Sequence, residues 1–354
     1  MILITGATGF IGGRITERLF LEHGIRARCL VRTYGHVARI ARFPVELVRG
    51  DVLDAASLEA AVAGCDVVVH CAYGNTGDDA TNVRINTEGT DQLADRAVRC
   101  GVRRFIHLST VEVYGDERPP VADENTPLSA SRESYGRSKQ RAEQICLEYS
   151  RRRGLPAVIL RPTVVYGPYA PFWTVGIVDR LRNGGIVLSE SSEGTCNPLY
   201  VDDLVDAVLL AAEQDGAVGD VFNISSGERC TWNEYFRLLN DLLGQPPLVW
   251  EGGLTLRRYQ AVRRVLKPAL ALVQRWYGPR AVALYQRLRE VGKLPNLKGW
   301  MQRGGLMEDA NIFGARTYYP IDKARARLGF EPRHDLTAGL AKVRSWLAHI
   351  GVIA

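Results

Sequence analysis

The chain has no cysteine pattern that binds a metal or forms a redox motif. Its seven cysteines, at 29, 65, 71, 100, 146, 196 and 230, lie far apart, with no CxxC pair. Zinc ribbons, fingers and thioredoxin-like motifs are thereby excluded, no metal site is expected, and the plain reading is reduced thiols in core positions. Nor does any apolar run approach the ~20 residues that a membrane-spanning helix needs. Repeats and low-complexity tracts are absent as well. The first strand begins at Met1 with nothing resembling a signal peptide before it, so the expected location is cytoplasmic.

Acidic residues are nearly missing from one stretch. Between Leu254 and Arg303 there are twelve Lys/Arg and one acid, Glu290, although the whole 354-residue chain carries a net charge of only +6. Basicity this local argues against a nucleic-acid-binding protein. Elsewhere the composition, 46% hydrophobic and 24% charged, is that of a globular protein large enough for one main domain and a smaller one.

What is present is concentrated at the start, MILITGATGFIGGR. Met1 to Thr5 read as an apolar strand, Gly6, Gly9 and Gly12 follow at three-residue intervals, and a helical pattern opens at Phe10. A strand running through a glycine turn into a helix collects bare backbone N–H groups at one point, where a pyrophosphate can be held.

Strand and helix alternate from there. Strands are expected at 27–31, 45–48, 65–70, 104–108, 157–160 and 221–224, with helices at about 81–100, 134–153 and 202–213. This spacing predicts an α/β fold, a Rossmann-type doubly wound parallel sheet with a ligand crevice at the C-terminal strand ends. Residues 1–165 would form the dinucleotide-binding domain, with 199–225 returning to it. Residues 166–354 would be mostly a smaller substrate-binding lobe containing a helical insertion at about 254–303. Within the insertion, Leu256, Tyr259, Val262, Leu266, Ala269, Val273 and Trp276 recur at helical spacing between arginines. Two basic amphipathic helices are expected. They would form either a cap over the substrate lobe or a face for peripheral contact with an anionic membrane or a lipid-linked substrate.

Tyr135-Gly-Arg-Ser-Lys139 places a phenol and an ammonium four residues apart on one helix face. A cation beside a phenol lowers its pKa and makes it a usable acid/base, although YxxxK also arises by chance in helices. Upstream, Thr110 stands at the C-terminal end of a strand, on the crevice side, where it could hydrogen-bond a substrate oxygen.

TGATGFIG at 5–12, Asp51, His70-Cys71-Ala72, Asn86, STVEVYG at 109–115, YGRSK at 135–139 and RPTVVYGP at 161–168 occur in one characteristic order. VDDL at 201–204, VFNISSGE at 221–228 and IDKARARLGFEPR at 321–333 extend it. Together they resemble the extended short-chain dehydrogenase/reductase superfamily, the NAD-dependent epimerase/dehydratase type, over nearly the whole chain except about 250–315. The resemblance implies that Tyr135 is the catalytic acid/base. Lys139 would hold the nicotinamide ribose and lower that tyrosine's pKa, and Thr110 would orient the substrate. Gly6, Gly9, Phe10, Ile11 and Gly12 would line the pyrophosphate. Asp51 and Val52 would meet the adenine, Cys71, Ala72 and Tyr73 would pass under the cofactor, and Pro162 and Val165 would lie by the nicotinamide. For Asn86 a structural role is as good a reading as a direct contact.

NAD-using members of that family usually carry an acid at the end of the second strand. Here Val31 and Arg32 stand there, and an arginine attracts the 2′-phosphate that a carboxylate repels, which favours NADP over NAD. The family's sugar dehydratases carry Thr-Asp-Glu at the fifth strand's end. This chain has Thr110-Val111-Glu112, so the full dehydratase set is missing, and Glu112 is left as a proton abstractor, a sugar-hydroxyl ligand or a surface residue. Val164 and Cys196 replace the Asn and Arg that hold a nucleotide diphosphate in related epimerases, with Arg180, Arg182 or a base from the inserted region as candidate substitutes.

The leading expectation is an oxidoreductase moving hydride to or from a secondary alcohol or ketone carbon of a sugar-type small molecule, a nucleotide-sugar being one such substrate. The alternatives are a nucleotide-sugar epimerase with retained cofactor, a ketoreductase on a hydrophobic or lipid-linked substrate, and a non-catalytic NADP-sensing protein. A homodimer through the helices flanking the site is a further implication of the resemblance.

Overall fold

The computed structural model describes residues 1–261, 263–264, 302–303 and 310–353. The chain divides into two compact units. The first comprises Met1–Tyr166, Asn197–Glu228 and Tyr318–Thr337, and the second Gly167–Cys196, Arg229–Thr317 and Ala338–Ala354. Tyr318–Thr337, which the sequence pattern left with the smaller lobe, therefore belongs to the first unit.

The first unit is built on strands β1 (Ile2–Thr5), β2 (Ala27–Val31), β3 (Glu46–Arg49), β4 (Val67–His70), β5 (Arg104–Leu108), β6 (Ala157–Pro162) and, after the short pair β7 (Val164–Tyr166) and β8 (Pro198–Tyr200), β9 (Val221–Ile224). Seven of them form one sheet in the order β3-β2-β1-β4-β5-β6-β9. Every neighbour in it pairs in parallel. The doubly wound parallel sheet expected from the sequence is thus present. Such strands are covered on both faces and read as continuous apolar runs, as Val67-Val68-Val69-His70 does, buried throughout.

Helices α1 (Phe10–His23), α2 (Ala55–Val62), α3 (Asp79–Arg99) and α4 (Ser134–Arg153) follow in order, then α5 (Ile177–Arg182), α6 (Val201–Glu213), α7 (Trp232–Leu242), α8 (Asp322–Leu328) and α9 (Leu336–His349). The core on one face joins Leu3, Val68, Phe105 and Ile159 of the sheet to Leu58, Leu93, Ala97 and Cys146 of the helices. α4, which carries the YxxxK pair, stops at Gly154, whose φ of +69° suits glycine, and three arginines in its last turn oppose the helix dipole. α1 is tied to α6 by Arg14 Nε on Asp202 at 2.5 Å and Arg18 Nη2 on Asp206 at 2.8 Å. Asp202 of the VDDL segment therefore helps fix α1, while Asp203 lies 2.8 Å from His334 Nδ1.

The strand order changes direction between β1 and β4, which opens a crevice beyond their C-terminal ends. In the second unit, Trp232 packs on Phe236 and Phe313, and Thr231 opens α7 with a reciprocal capping box to Glu234. The start of the basic insertion is helical, at 253–261 and 263–264, with Leu256 buried; most of the rest lies outside the described residues, and with it the second expected helix and the membrane or cap role. Among the described residues no helix is long and apolar enough to cross a membrane.

Candidate active site

The glycine turn sits at the C-terminal end of β1. Gly6 has φ +68°, and a Cβ there would lie 2.7 Å from the Ala72 nitrogen. A Cβ on Gly12 would lie 2.4 Å from the Gly6 carbonyl oxygen. Only glycine lets these backbones meet. Gly9 caps α1 with extended backbone and no side-chain hydrogen bond. The first helical bond outside the turn runs from Gly13 N to Gly9 O, leaving the amides of Phe10, Ile11 and Gly12 for an anion. A cradle that side chains would fill, ending on uncapped amides, fits a dinucleotide pyrophosphate.

Beneath the turn lies His70. Its Nδ1 is 2.7 Å from the Thr5 hydroxyl and its Nε2 3.0 Å from that of Thr90. Thr90 donates its proton to Asn86 O at 2.6 Å, so His70 carries its proton on Nε2 and accepts from Thr5 at Nδ1. Burial, with the Lys139 charge adding to it, pushes His70 down to about 3, which keeps it neutral. Below pH 6.5 the unfolded chain takes up a proton that the folded one refuses, so stability falls as pH drops from about 6.5 towards 3. Urea unfolding at pH 7 and pH 5 should show the wild type losing about 2 kcal/mol more than His70→Gln, from ~1.4 kcal/mol per pH unit. Equal losses would remove His70 from the acid sensitivity.

Asn86 takes its structural role. Its Oδ1 accepts from Gly74 N at 2.8 Å and its Nδ2 donates to Ser138 at 2.9 Å, which joins the loop after β4 to α4. Along that loop Cys71 and Ala72 are half-buried and Tyr73 is exposed. Asp51 turns its carboxylate to Leu53 N at 2.9 Å, and Val52 is buried against Gly89. Pro162 and Val165 are buried on β6 and β7.

The chemistry-bearing residues converge past β5. Thr110 caps a 3₁₀ turn, Val111–Tyr114, and its hydroxyl accepts from Glu112 N at 3.2 Å. Its side chain also acts on the Tyr135 phenol of α4, favouring the charged form. The Tyr73 ring meets the Tyr135 ring edge-on, centroids 6.3 Å apart. The Tyr135 side chain is partly exposed, and the burial it does have is the largest influence on its phenol. That burial raises its pKa above the ordinary 10, with Tyr73 and the Glu112 charge adding and Thr110 opposing.

Lys139 departs from expectation. Its Nζ donates to Leu108 O at 2.8 Å. It is 4% exposed, and burial lowers it to about 8, opposed by Cys71, Glu143 and Cys146. Its charge therefore acts among those groups and on His70, while the Tyr135 phenol moves up rather than down. Burial outweighs the i, i+4 cation because the ammonium turns to a strand carbonyl.

Glu112 is also placed differently from a free base. Arg118 grips it with two bonds, Nη2 to Oε2 at 2.5 Å and Nη1 to Oε1 at 3.2 Å, and also reaches the Tyr319 hydroxyl at 3.2 Å. A carboxylate held this way supports a positioning role over proton abstraction. Val111, where dehydratases carry an acid, packs in an apolar cluster with Tyr114, Ala122 and Tyr319.

Arg32 is exposed beyond β2. A second cation, absent from the sequence reading, joins this end of the sheet. Arg39 Nη1 donates to Phe10 O at 3.3 Å, and its guanidinium comes within 3.4 Å of where a Gly13 Cβ would lie. The signal was Gly13 itself, a second small residue where α1 opens.

With this geometry in hand, comparison with known proteins decides the family. The profile of the NAD dependent epimerase/dehydratase family matches residues 2–225. The chain belongs to that family. Among its relatives, a dTDP-glucose 4,6-dehydratase of Streptomyces antibioticus is 33% identical over 69% of this chain and 77% of its own. A 4-hydroxy-2-methyl-3-oxo-4-farnesyl-3,4-dihydroquinoline-1-oxide ketoreductase of Stigmatella aurantiaca is 26% identical over 68% and 72%. A UDP-glucose 4-epimerase structure from Thermotoga maritima superposes with a TM-score of 0.72 at 22% identity, over 99% of both chains. The protein is thus an extended short-chain dehydrogenase/reductase, an NAD(P)-dependent enzyme.

Proposed function

We propose that this enzyme transfers hydride between NADP(H) and a ketone or secondary alcohol carbon of a sugar-type substrate, with net reduction as the working direction. The observation that carries this reading is the convergence of the Thr110 hydroxyl, at the end of β5, with the Tyr135 phenol of α4, whose proton is held by burial. A phenol that keeps its proton at neutral pH is a general acid, which ketone reduction needs. Thr110 holds the carbonyl oxygen, and Tyr135 delivers its proton to that oxygen as negative charge develops there. When bound, the nicotinamide supplies the hydride. Lys139, charged below about pH 8, presents its ammonium on the β5 side of the site, where a ribose hydroxyl can be held. Glu112, neutralised by Arg118, orients substrate hydroxyls without removing a carbon-bound proton.

Dehydration is disfavoured by Val111 and by the occupied Glu112. Epimerisation with retained cofactor uses the same residues, and stoichiometry separates it. Net reduction consumes one NADPH per product at 340 nm with a nucleoside-diphosphate 4-keto-sugar, whereas an epimerised product with no absorbance change would overturn the reductase reading. The sugar-type assignment is supported by the glucose nucleotide named for the dehydratase relative.

Arg32 and Arg39 support NADP: both are cations at the end of the sheet where the adenosine ribose is expected. Replacing Arg32 by Ala should weaken NADPH binding about tenfold, the scale of one charge-assisted hydrogen bond, and leave NADH binding unchanged. Fluorescence titration of both cofactors checks this. Tighter NADH than NADPH binding by the wild type would reverse the assignment.

A further inference from the structure

Two cysteines far apart in sequence meet in the second unit. Thr195 and Thr231 form an antiparallel bridge, so Cys196 and Cys230 are directly opposite one another in its register. Cys196 N donates to Cys230 O at 2.8 Å, and the two side chains interact. Side chains directly opposite in such a pair leave the ribbon on the same face, with Cα atoms about 5.5 Å apart at a hydrogen-bonded position. That falls inside the ~4.4–6.8 Å window of disulfides. Both cysteines are free thiols here, Cys196 fully buried and Cys230 half-buried. The backbone beside them is unusual, since Asn197 takes a φ of +47°.

Their place in the chain gives the pair its meaning. Cys196 is the last residue before the chain enters the first unit, and Cys230 is the second residue after it returns. The segment between them carries β8, α6 and β9. We propose that Cys196 and Cys230 form a reversible disulfide under oxidation by hydrogen peroxide, closing a covalent loop around the whole 197–229 excursion. The half-buried Cys230 thiol gives up its proton as its sulfur attacks one peroxide oxygen, which breaks the O–O bond and gives a Cys230 sulfenic acid, and the departing hydroxide takes up that proton to become water. The Cys196 thiol then attacks the Cys230 sulfur, its proton leaving with the displaced hydroxide as a second water. Two thiols and one peroxide become one disulfide and two waters. Cross-linking removes loop entropy from the unfolded chain, so the oxidised form is the more heat-stable.

Trypsin cleavage after Arg182, Arg229 and Arg237 places each cysteine alone in its own peptide, residues 183–229 and 230–237. The reduced full-length protein is treated with stoichiometric peroxide, free thiols are capped with N-ethylmaleimide, and the digest is analysed by mass spectrometry. The expected product is the two peptides joined, with an intact mass 2 Da lower, a higher melting temperature and full reversal by dithiothreitol. Cys196→Ser should stop Cys230 at the sulfenic acid, trapped by dimedone, and abolish the melting shift. Recovery of both peptides capped by maleimide, over-oxidation of Cys230 in the wild type, or a different cysteine pair would each overturn the proposal. The wild-type peptide map stands alone if the serine variant fails to fold.

Discussion

Replacing Tyr135 by Phe should lower kcat for NADPH-dependent ketone reduction by about 10²–10⁴-fold while leaving the NADPH dissociation constant within about twofold. The substitution removes one hydroxyl and keeps the ring that packs edge-on to Tyr73. Only proton delivery and the interaction with Thr110 are lost. Thr110→Ala should act on the same step with a smaller loss, because the substrate oxygen loses a holder but the acid remains, and Thr110→Ser should restore most of the rate. The wild-type pH profile follows from the same geometry. Tyr135 stays protonated through neutrality, whereas Lys139 loses its charge near pH 8, so cofactor affinity rather than proton supply should fail first on the alkaline side. Steady-state kinetics with NADPH varied at pH 7 and pH 9 separate the two: KM for NADPH rises while kcat holds. A phenylalanine variant with wild-type kcat would remove Tyr135 from the chemistry.

The second large effect concerns stability. Arg161 on β6 and Glu143 on α4 form a buried ion pair, Nη2 to Oε2 at 2.6 Å, with side chains 6% and 2% exposed. Ser109, next to Thr110, donates to the same carboxylate. The Arg161 guanidinium lies 4.9 Å from the centroid of the Tyr114 ring, and the Tyr114 hydroxyl donates to Asn223 on β9 at 2.8 Å. Arg161→Met strands a carboxylate in the core and should cost about 3–5 kcal/mol, measured by urea unfolding. Adding Glu143→Leu should recover most of that loss, because two apolar groups replace the pair. A double variant no more stable than the single one would show that the network beyond the pair carries the stability. Glu143 also helps hold Lys139 charged. Glu143→Gln should therefore move the alkaline limb of cofactor binding to lower pH.

Much of this was legible in the sequence, for identifiable reasons. β2, β5, β9 and α4 lie where periodicity placed them, because parallel strands are apolar runs and α4 is bounded by a glycine and an arginine cluster. Gly6 and Gly12 were readable because a steric demand leaves only one residue type. What depends on side-chain direction was not readable. Spacing put Lys139 beside Tyr135, but the ammonium turns to Leu108 O and the phenol is raised by burial. Glu112 looked free because Arg118, six residues on, reaches it only through the 3₁₀ turn that follows Thr110. Cys196 and Cys230 looked unrelated because their pairing depends on an antiparallel bridge between distant segments. Arg39 escaped notice for the same reason: its partners lie on α1, 22 and 29 positions away.

The central claim is that Tyr135 hands a proton to a carbonyl oxygen while hydride leaves NADPH for the same carbonyl group. It is tested most directly by incubating the protein with NADPH deuterated at the transferred position and a nucleoside-diphosphate 4-keto-sugar, then locating the label by NMR. The account predicts deuterium on the former carbonyl carbon, one per NADP formed, and almost none with Tyr135→Phe. Deuterium left on the cofactor while the sugar changes, or equal transfer by the phenylalanine variant, would contradict it.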